Sequence, residues 1–259
     1  MAAKRSFTWF CWVTLGLLLL SISLHTSATT RIAAAADLQL ALREIVDQFQ
    51  TDYPQHSISL TFGSSGVFTS QLLQGAPFEL FFSADAAYID RLEAEGLVKT
   101  TPYDYALGRI AFYSGANLEA DSADEALQQW LASRSNASKL SIANPRHAPY
   151  GVAAMSWLSG LNQAENVNSF RVLGENAAQA VQFVLSGAAE SGVVAWPLLY
   201  GREDLPGQAW LIPETAHSPL NQRVALMNNA SASAVALFDY IQQPSAKQTL
   251  KRHGFGIPD

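Results

Sequence analysis

Residues 62–85 run Phe-Gly-Ser-Ser-Gly-Val-Phe-Thr-Ser-Gln-Leu-Leu-Gln-Gly-Ala-Pro-Phe-Glu-Leu-Phe-Phe-Ser-Ala-Asp, and they constrain the fold more than any other part of the chain. They read as the end of a strand, a tight Gly/Ser turn, a short helix stopped by Gly75 and Pro77, a buried strand, and Asp85 as the cap of the next helix. Such a turn aims backbone N–H groups and a serine hydroxyl past the strand's carboxyl end, where the helix dipole adds positive potential. The stretch predicts βα winding and a site for an anion.

The same winding continues along the chain. Strands are expected at Arg31–Ala35, Ile58–Phe62, Leu80–Ser83, Arg109–Tyr113, Lys139–Ala143, Arg171–Leu173, Val193–Trp196, Trp210–Ile212 and Val224–Met227. Helices follow most of them: Asp37 caps one with Leu38, Leu42, Ile45, Val46 and Phe49 at helical spacing, and others begin at Asp85, near Tyr150, near Ala177 and near Ser233. The class is α/β with mostly parallel sheets.

Lys4 and Arg5 precede an apolar run from Phe7 to Leu24 and the small residues Thr26-Ser27-Ala28, the order of an export signal cut near Ala28. An uncleaved membrane anchor is the alternative. Cys11, the single cysteine, lies inside that run, so the remaining chain has no thiol for disulfides or thiolate metal sites. Residues 29–259 are too long for one small core and suit two lobes. The whole chain has 16 Lys+Arg and 22 Asp+Glu; without Lys4 and Arg5 the count is 14 against 22, a net charge of −8. That argues against nucleic acid as a partner, and it leaves any anion to be held by local dipoles and hydrogen bonds.

Four strand-to-helix turns share small or polar starts: Ala35-Ala36-Asp37, Gly63-Ser64-Ser65-Gly66, Ala148-Pro149-Tyr150-Gly151 and Gly174-Glu175-Asn176-Ala177. In wound α/β sheets such turns lie at the strands' carboxyl ends, where ligands bind. Any one of them is an ordinary helix start.

The segments Ile32–Leu38 and Phe62–Asp85, Asn144–Gly151, Glu175-Asn176, Gly192-Val193-Val194 and Lys251–Phe255 together resemble the periplasmic molybdate-binding proteins of ABC transporters, members of the type II solute-binding fold. The resemblance implies two lobes, each a mostly parallel sheet flanked by helices, with the ligand cleft between them. It implies 29–108 with 216–259 as a discontinuous first lobe, 109–215 as the second, and crossovers near Leu107–Arg109 and Pro213–Ser218. It also implies a monomeric exported protein, in the periplasm, that captures molybdate or tungstate and delivers it to a membrane permease, with no cofactor and no catalysis. Matched position by position, the ligand residues are Ala36, Asp37, Ser65, Tyr150 and Ala177. Ser65 offers hydroxyl and amide, and the others offer main-chain amides. Two positions depart from the family's pattern: Asp37 follows Ala36 where a neutral donor is usual, and Ala195 stands where one branch has a tyrosine.

Asp37 is the difficult residue. A carboxylate about 4 Å from a dianion costs on the order of 8 kcal/mol at an effective dielectric of 20. The expectation is that its side chain turns back to cap its own helix while its amide donates forward. Arg146 and His147 are expected in a solvated loop, and Trp130, Trp157, Trp196 and Trp210 in packing. A pocket made only of donors rejects protonated oxyanions such as hydrogen phosphate, because nothing accepts their proton. The competing readings are a binding protein for sulfate or an organic anion and, more remotely, a serine hydrolase using Ser65. The latter lacks the Gly-x-Ser-x-Gly spacing. The five histidines are too scattered for a zinc site.

Overall fold

Ile32 and Ala34 face one way along their strand and Ala33 the other, yet all three are fully buried, so this strand must be covered on both sides. It is β1 (Thr30–Ala35) of a computed structural model that describes residues 29–258. The expected export signal lies outside the described residues. Among those described, no helix is long and apolar enough to cross a membrane.

From β1 the chain winds through α1 (Gln39–Asp52) to β2 (Ile58–Gly63), through α2 (Ser65–Leu73) to β3 (Leu80–Ser83), and through α3 (Ala86–Ala94) to β4 (Tyr103–Leu107). It then enters a second sheet with β5 (Ile110–Ser114), α4 (Ala123–Ser133), β6 (Leu140–Ala143), α5 (Pro149–Gly160), the short α6 (Ala164–Val167), β7 (Arg171–Gly174), α7 (Ala177–Leu185), β8 (Ser191–Ala195) and β9 (Gln208–Leu211). It returns with β10 (Asn221–Leu226) and ends in α8 (Ala232–Tyr240) and α9 (Pro244–Arg252).

The two sheets follow one plan, β2-β1-β3-β10-β4 and β7-β6-β8-β5-β9. Each is mixed. The βα-wound strands pair in parallel, β1 with β2 and β3, and β6 with β7 and β8. The strands on either side of the passages between sheets, β4, β5, β9 and β10, make the antiparallel pairs, which the winding pattern does not predict. The chain passes between sheets at residues 108–109 and 212–220.

In the first sheet the alternating residues divide two cores. Ile32, Ala34, Leu80, Phe82, Val224 and Leu226 pack toward α1, α8 and α9, whereas Ala33, Phe81 and Ala225 pack toward Phe68, Leu72, Ile89 and Leu92 of α2 and α3. The second sheet is built around Trp130, Trp157, Phe112 and Ile142. Both tryptophans are packing residues, as expected, with each indole N–H donating to a carboxylate, Trp130 to Glu190 and Trp157 to Asp124.

Candidate functional site

The carboxyl ends of β1, β2, β6 and β7 place their turns where the two sheets meet. β1 ends in a 3-10 turn, Ala36–Leu38, that precedes α1; Asp37 is its middle residue rather than a helix N-cap, and its side chain makes no capping hydrogen bond. The expected back-turned cap is therefore incorrect. The carboxylate, 1 % exposed, points across the interface instead: Oδ2 accepts from the Tyr150 hydroxyl at 3.0 Å and from Gln222 Nε2 at 2.5 Å. The two buried neutral donors, Tyr150 and Gln222, outweigh a local cap there.

Gln222 lies on β10 and is fully buried. Its Oε1 accepts from the Tyr105 hydroxyl at 2.6 Å, which fixes the amide with its N–H groups toward Asp37. Burial pushes the Asp37 carboxyl from 3.8 up to about 6, against the opposing pull of Gln222, Tyr150 and the amides of Asp37 and Leu38. Burial, with the Asp37 charge added, pushes the hydroxyls of Tyr150 and Tyr105 well up, so both remain proton donors. Asp37 Oδ1 is buried with no partner of hydrogen-bonding geometry among the described residues.

The second turn starts α2. Ser64 is the N-cap residue and Ser65 the first helical one, 1 % exposed. Ser65 Oγ accepts from the Ala84 N–H at 3.0 Å, and its own proton has no acceptor among the described residues. Across from it, the Gly66 N–H donates to the His147 carbonyl at 2.9 Å. The Ser64 hydroxyl donates to that same carbonyl and lies 2.9 Å from His147 Nδ1. His147 is thus half-buried between the sheets, not solvated as expected; Arg146 is exposed.

Tyr150 stands just inside α5, after Pro149, and Ala177 opens α7 behind the Asn176 cap, whose Oδ1 accepts from the Gln179 N–H at 3.0 Å. The first N–H groups of a helix have no partner within it. α7 packs against the 3-10 turn of the first sheet. Ala36, Ala177 and Ala195 are all buried and carry no side-chain donor.

What the arrangement offers chemically is a set of helix-start amides and the Ser65 hydroxyl; among the described residues, no Lys or Arg side chain hydrogen-bonds to Asp37. Among the described residues, no cluster of His, Cys, Asp and Glu could hold a metal ion. Ser64, His147 and Glu175 have the residue types of a hydrolase triad, yet the Ser64 proton is committed to the His147 carbonyl, and His147 Nε2 lies 3.5 Å from a Glu175 that is largely exposed. Ser65 has no base. The model of the bacterial extracellular solute-binding proteins matches residues 30–256. The chain belongs to that family. It is 36 % identical over 236 residues to a molybdate-binding protein of Azotobacter vinelandii, covering 89 % of this chain and 91 % of that one. It is 31 % identical over 242 residues to a molybdate-binding protein of Rhodobacter capsulatus, covering 92 % of each. The solved periplasmic molybdate-binding protein of Azotobacter vinelandii superposes with a TM-score of 0.79 at 25 % identity, over 89 % of this chain and all of that one. This solute-binding protein is accordingly a binding protein with the two-lobed α/β architecture, not an enzyme.

Gln222 and Tyr105 were not legible as site residues; Gln222 stands between Asn221 and Arg223, and Tyr105 follows Tyr103 and Asp104, with no motif to single either out. Gly108, in the first crossover, also borders this network: a Cβ there would stand 2.7 Å from both Gln222 Nε2 and the Tyr150 hydroxyl oxygen. Asp37 is a buried carboxylate at the first of these turns, a group that the expectation of a pocket made only of donors does not include.

Proposed function

We propose that this protein captures molybdate, and tungstate of like shape and charge, outside the cytoplasm and hands it to the permease of an ABC transporter. The observation that carries the reading is the relationship along nearly the whole chain to proteins named for molybdate binding. The ligand set is Ala36, Asp37, Ser65, Tyr150 and Ala177, acting through main-chain amides and the Ser65 hydroxyl. The lobes are 29–108 with 216–259, and 109–215, hinged where the chain passes twice between the sheets.

The chemistry supports an oxyanion. Dipoles from helix starts hold a tetrahedral anion without a cation, and discrimination then rests on cavity size and donor count. Sulfate, being smaller than molybdate or tungstate, would leave donors unreached. Closure over the anion gives the permease a shape to distinguish from the open form. The protein works as a monomer in the periplasm. Calorimetry with molybdate, tungstate, sulfate and phosphate in turn tests this reading: tight binding of the first two and weak binding of sulfate is the expected result, and no oxyanion binding would overturn it.

A further inference from the structure

We propose that Asp37 holds one proton against the bound anion, so that capture of a dianion takes a proton from solvent. The proposal rests on the oxyanion reading above and deepens it. Its support is the place of Asp37 in the proposed ligand turn and the inequality of its two carboxyl oxygens. Asp37 belongs to the first ligand turn, so an anion on the amides of Ala36 and Asp37 lies within one residue of its carboxyl. The two carboxyl oxygens are unequal: Oδ2 takes two donors, from Tyr150 and Gln222, whereas Oδ1 is buried without a hydrogen-bond partner among the described residues. A proton on Oδ1 turns that unpaired oxygen into one more donor toward the ligand and removes a like-charge contact.

Among the described residues, no charged side chain hydrogen-bonds to Asp37 to neutralise it otherwise. The groups around it are the Tyr150 hydroxyl from α5, the neutral Gln222 from β10 and, beyond that amide, the Tyr105 hydroxyl from β4. The 3-10 turn also packs against α1, whose Arg43, Glu44, Asp47 and Asp52 are all exposed, and against α7 and the turn Trp196–Leu198, neither of which carries a titratable residue. The arginines nearby are paired, Arg109 with Glu214 and Arg202 with Asp204, and His147 Nε2 lies 3.5 Å from Glu175. The carboxyl titrates at about 6 before any anion arrives, so carrying the proton costs a factor of only about 30 in affinity at pH 7.5. The dianion's repulsion is far larger.

The proton balance is simple: a dianion brings no proton, so one moves from solvent to Oδ1 as it binds. A monohydrogen oxyanion that fitted the cavity would bring its own, with Oδ1 as acceptor and no uptake.

The test is calorimetry of the wild-type protein with micromolar molybdate from pH 6 to 8.5, repeated at pH 8 in two buffers of different ionisation enthalpy. The expected result is an affinity that falls about tenfold per pH unit above pH 7 and an uptake close to one proton per anion. Asp37→Asn is expected to bind with little dependence on pH and more tightly than wild type at pH 8.5. Molybdate binding that is flat with pH, or uptake near zero in the wild-type protein, would overturn the proton assignment while leaving molybdate capture standing. Absence of binding even at pH 6 would overturn both.

Discussion

The Gly66 N–H donates to the His147 carbonyl at 2.9 Å, a main-chain hydrogen bond from the helix start of one sheet to the facing turn of the other. A side chain at Gly66 would disturb it directly, since a Cβ there would stand 2.8 Å from that oxygen and 3.0 Å from the His147 Cα. Backbone cannot swing aside as a side-chain tip can. Gly66→Ala is therefore expected to hinder closure at a cost of about 1–3 kcal/mol, or roughly 5- to 150-fold in molybdate affinity. Thermal stability without ligand should change much less. Calorimetry and melting curves on one variant give both readouts, and an unchanged affinity would refute the contact's role.

Ser65 is expected to separate two roles. Its hydroxyl accepts from Ala84 and has a proton left for the ligand. Loss of a hydrogen bond to a charged group is worth about 1.5–3 kcal/mol, so Ser65→Ala should weaken molybdate by roughly 10- to 150-fold. It should also leave the buried Ala84 N–H unsatisfied and lower the stability of the ligand-free protein by about 1–3 kcal/mol. A variant with lowered stability and wild-type affinity would mean that the hydroxyl serves only Ala84.

How much of this was readable beforehand depends on the scale of the signal. Asp85 and Asn176 are N-caps where the sequence puts them, because a side-chain oxygen three residues or fewer from its target is a local matter. β3 was found to the residue. Helix α4 was missed although Ser122 and Glu125 form a capping pair at its start, Ser122 accepting from the Glu125 N–H and Glu125 from the Asp121 N–H. β4 was missed because Tyr103-Asp104-Tyr105-Ala106-Leu107 alternates only weakly. The direction of the Asp37 side chain could not be read, since its partners are 113 and 185 residues away along the chain. Local propensity favours a cap; only the assembled interface supplies Tyr150 and Gln222.

The titration of Asp37 has a consequence for stability with a definite sign. Its folded-state value of about 6 lies above the ordinary 3.8, so between these limits the folded protein holds a proton that the unfolded chain has released. The contribution is greatest below pH 3.8 and is lost as pH rises to about 6. A gap of roughly two pH units corresponds to about 3 kcal/mol. Denaturant unfolding of wild type and Asp37→Asn at pH 4 and pH 7 isolates it: the variant should gain on wild type by about that amount at the higher pH. An equal difference at both would contradict the burial of the charge.

Tyr150→Phe is expected to act through Asp37. Without the hydroxyl, Oδ2 keeps only Gln222, the carboxylate is worse solvated, and its titration moves further up. The pH at which molybdate affinity begins to fall should move up with it, by about a pH unit. An affinity loss without movement of that pH would assign the tyrosine to packing alone.

The placement of β10 between β3 and β4 reverses the order in which the molecule can be assembled. All strands of the second sheet lie within residues 110–211, whereas the first sheet lacks an interior strand until residues 221–226 have arrived. Before then β3 and β4 each have an open edge and half of a core. Pulse-labelled hydrogen exchange during refolding is expected to protect β6 and β8 ahead of β1 and β3. The piece synthesised first is the piece that must wait: its sheet closes only when nearly the whole length of the chain has been made.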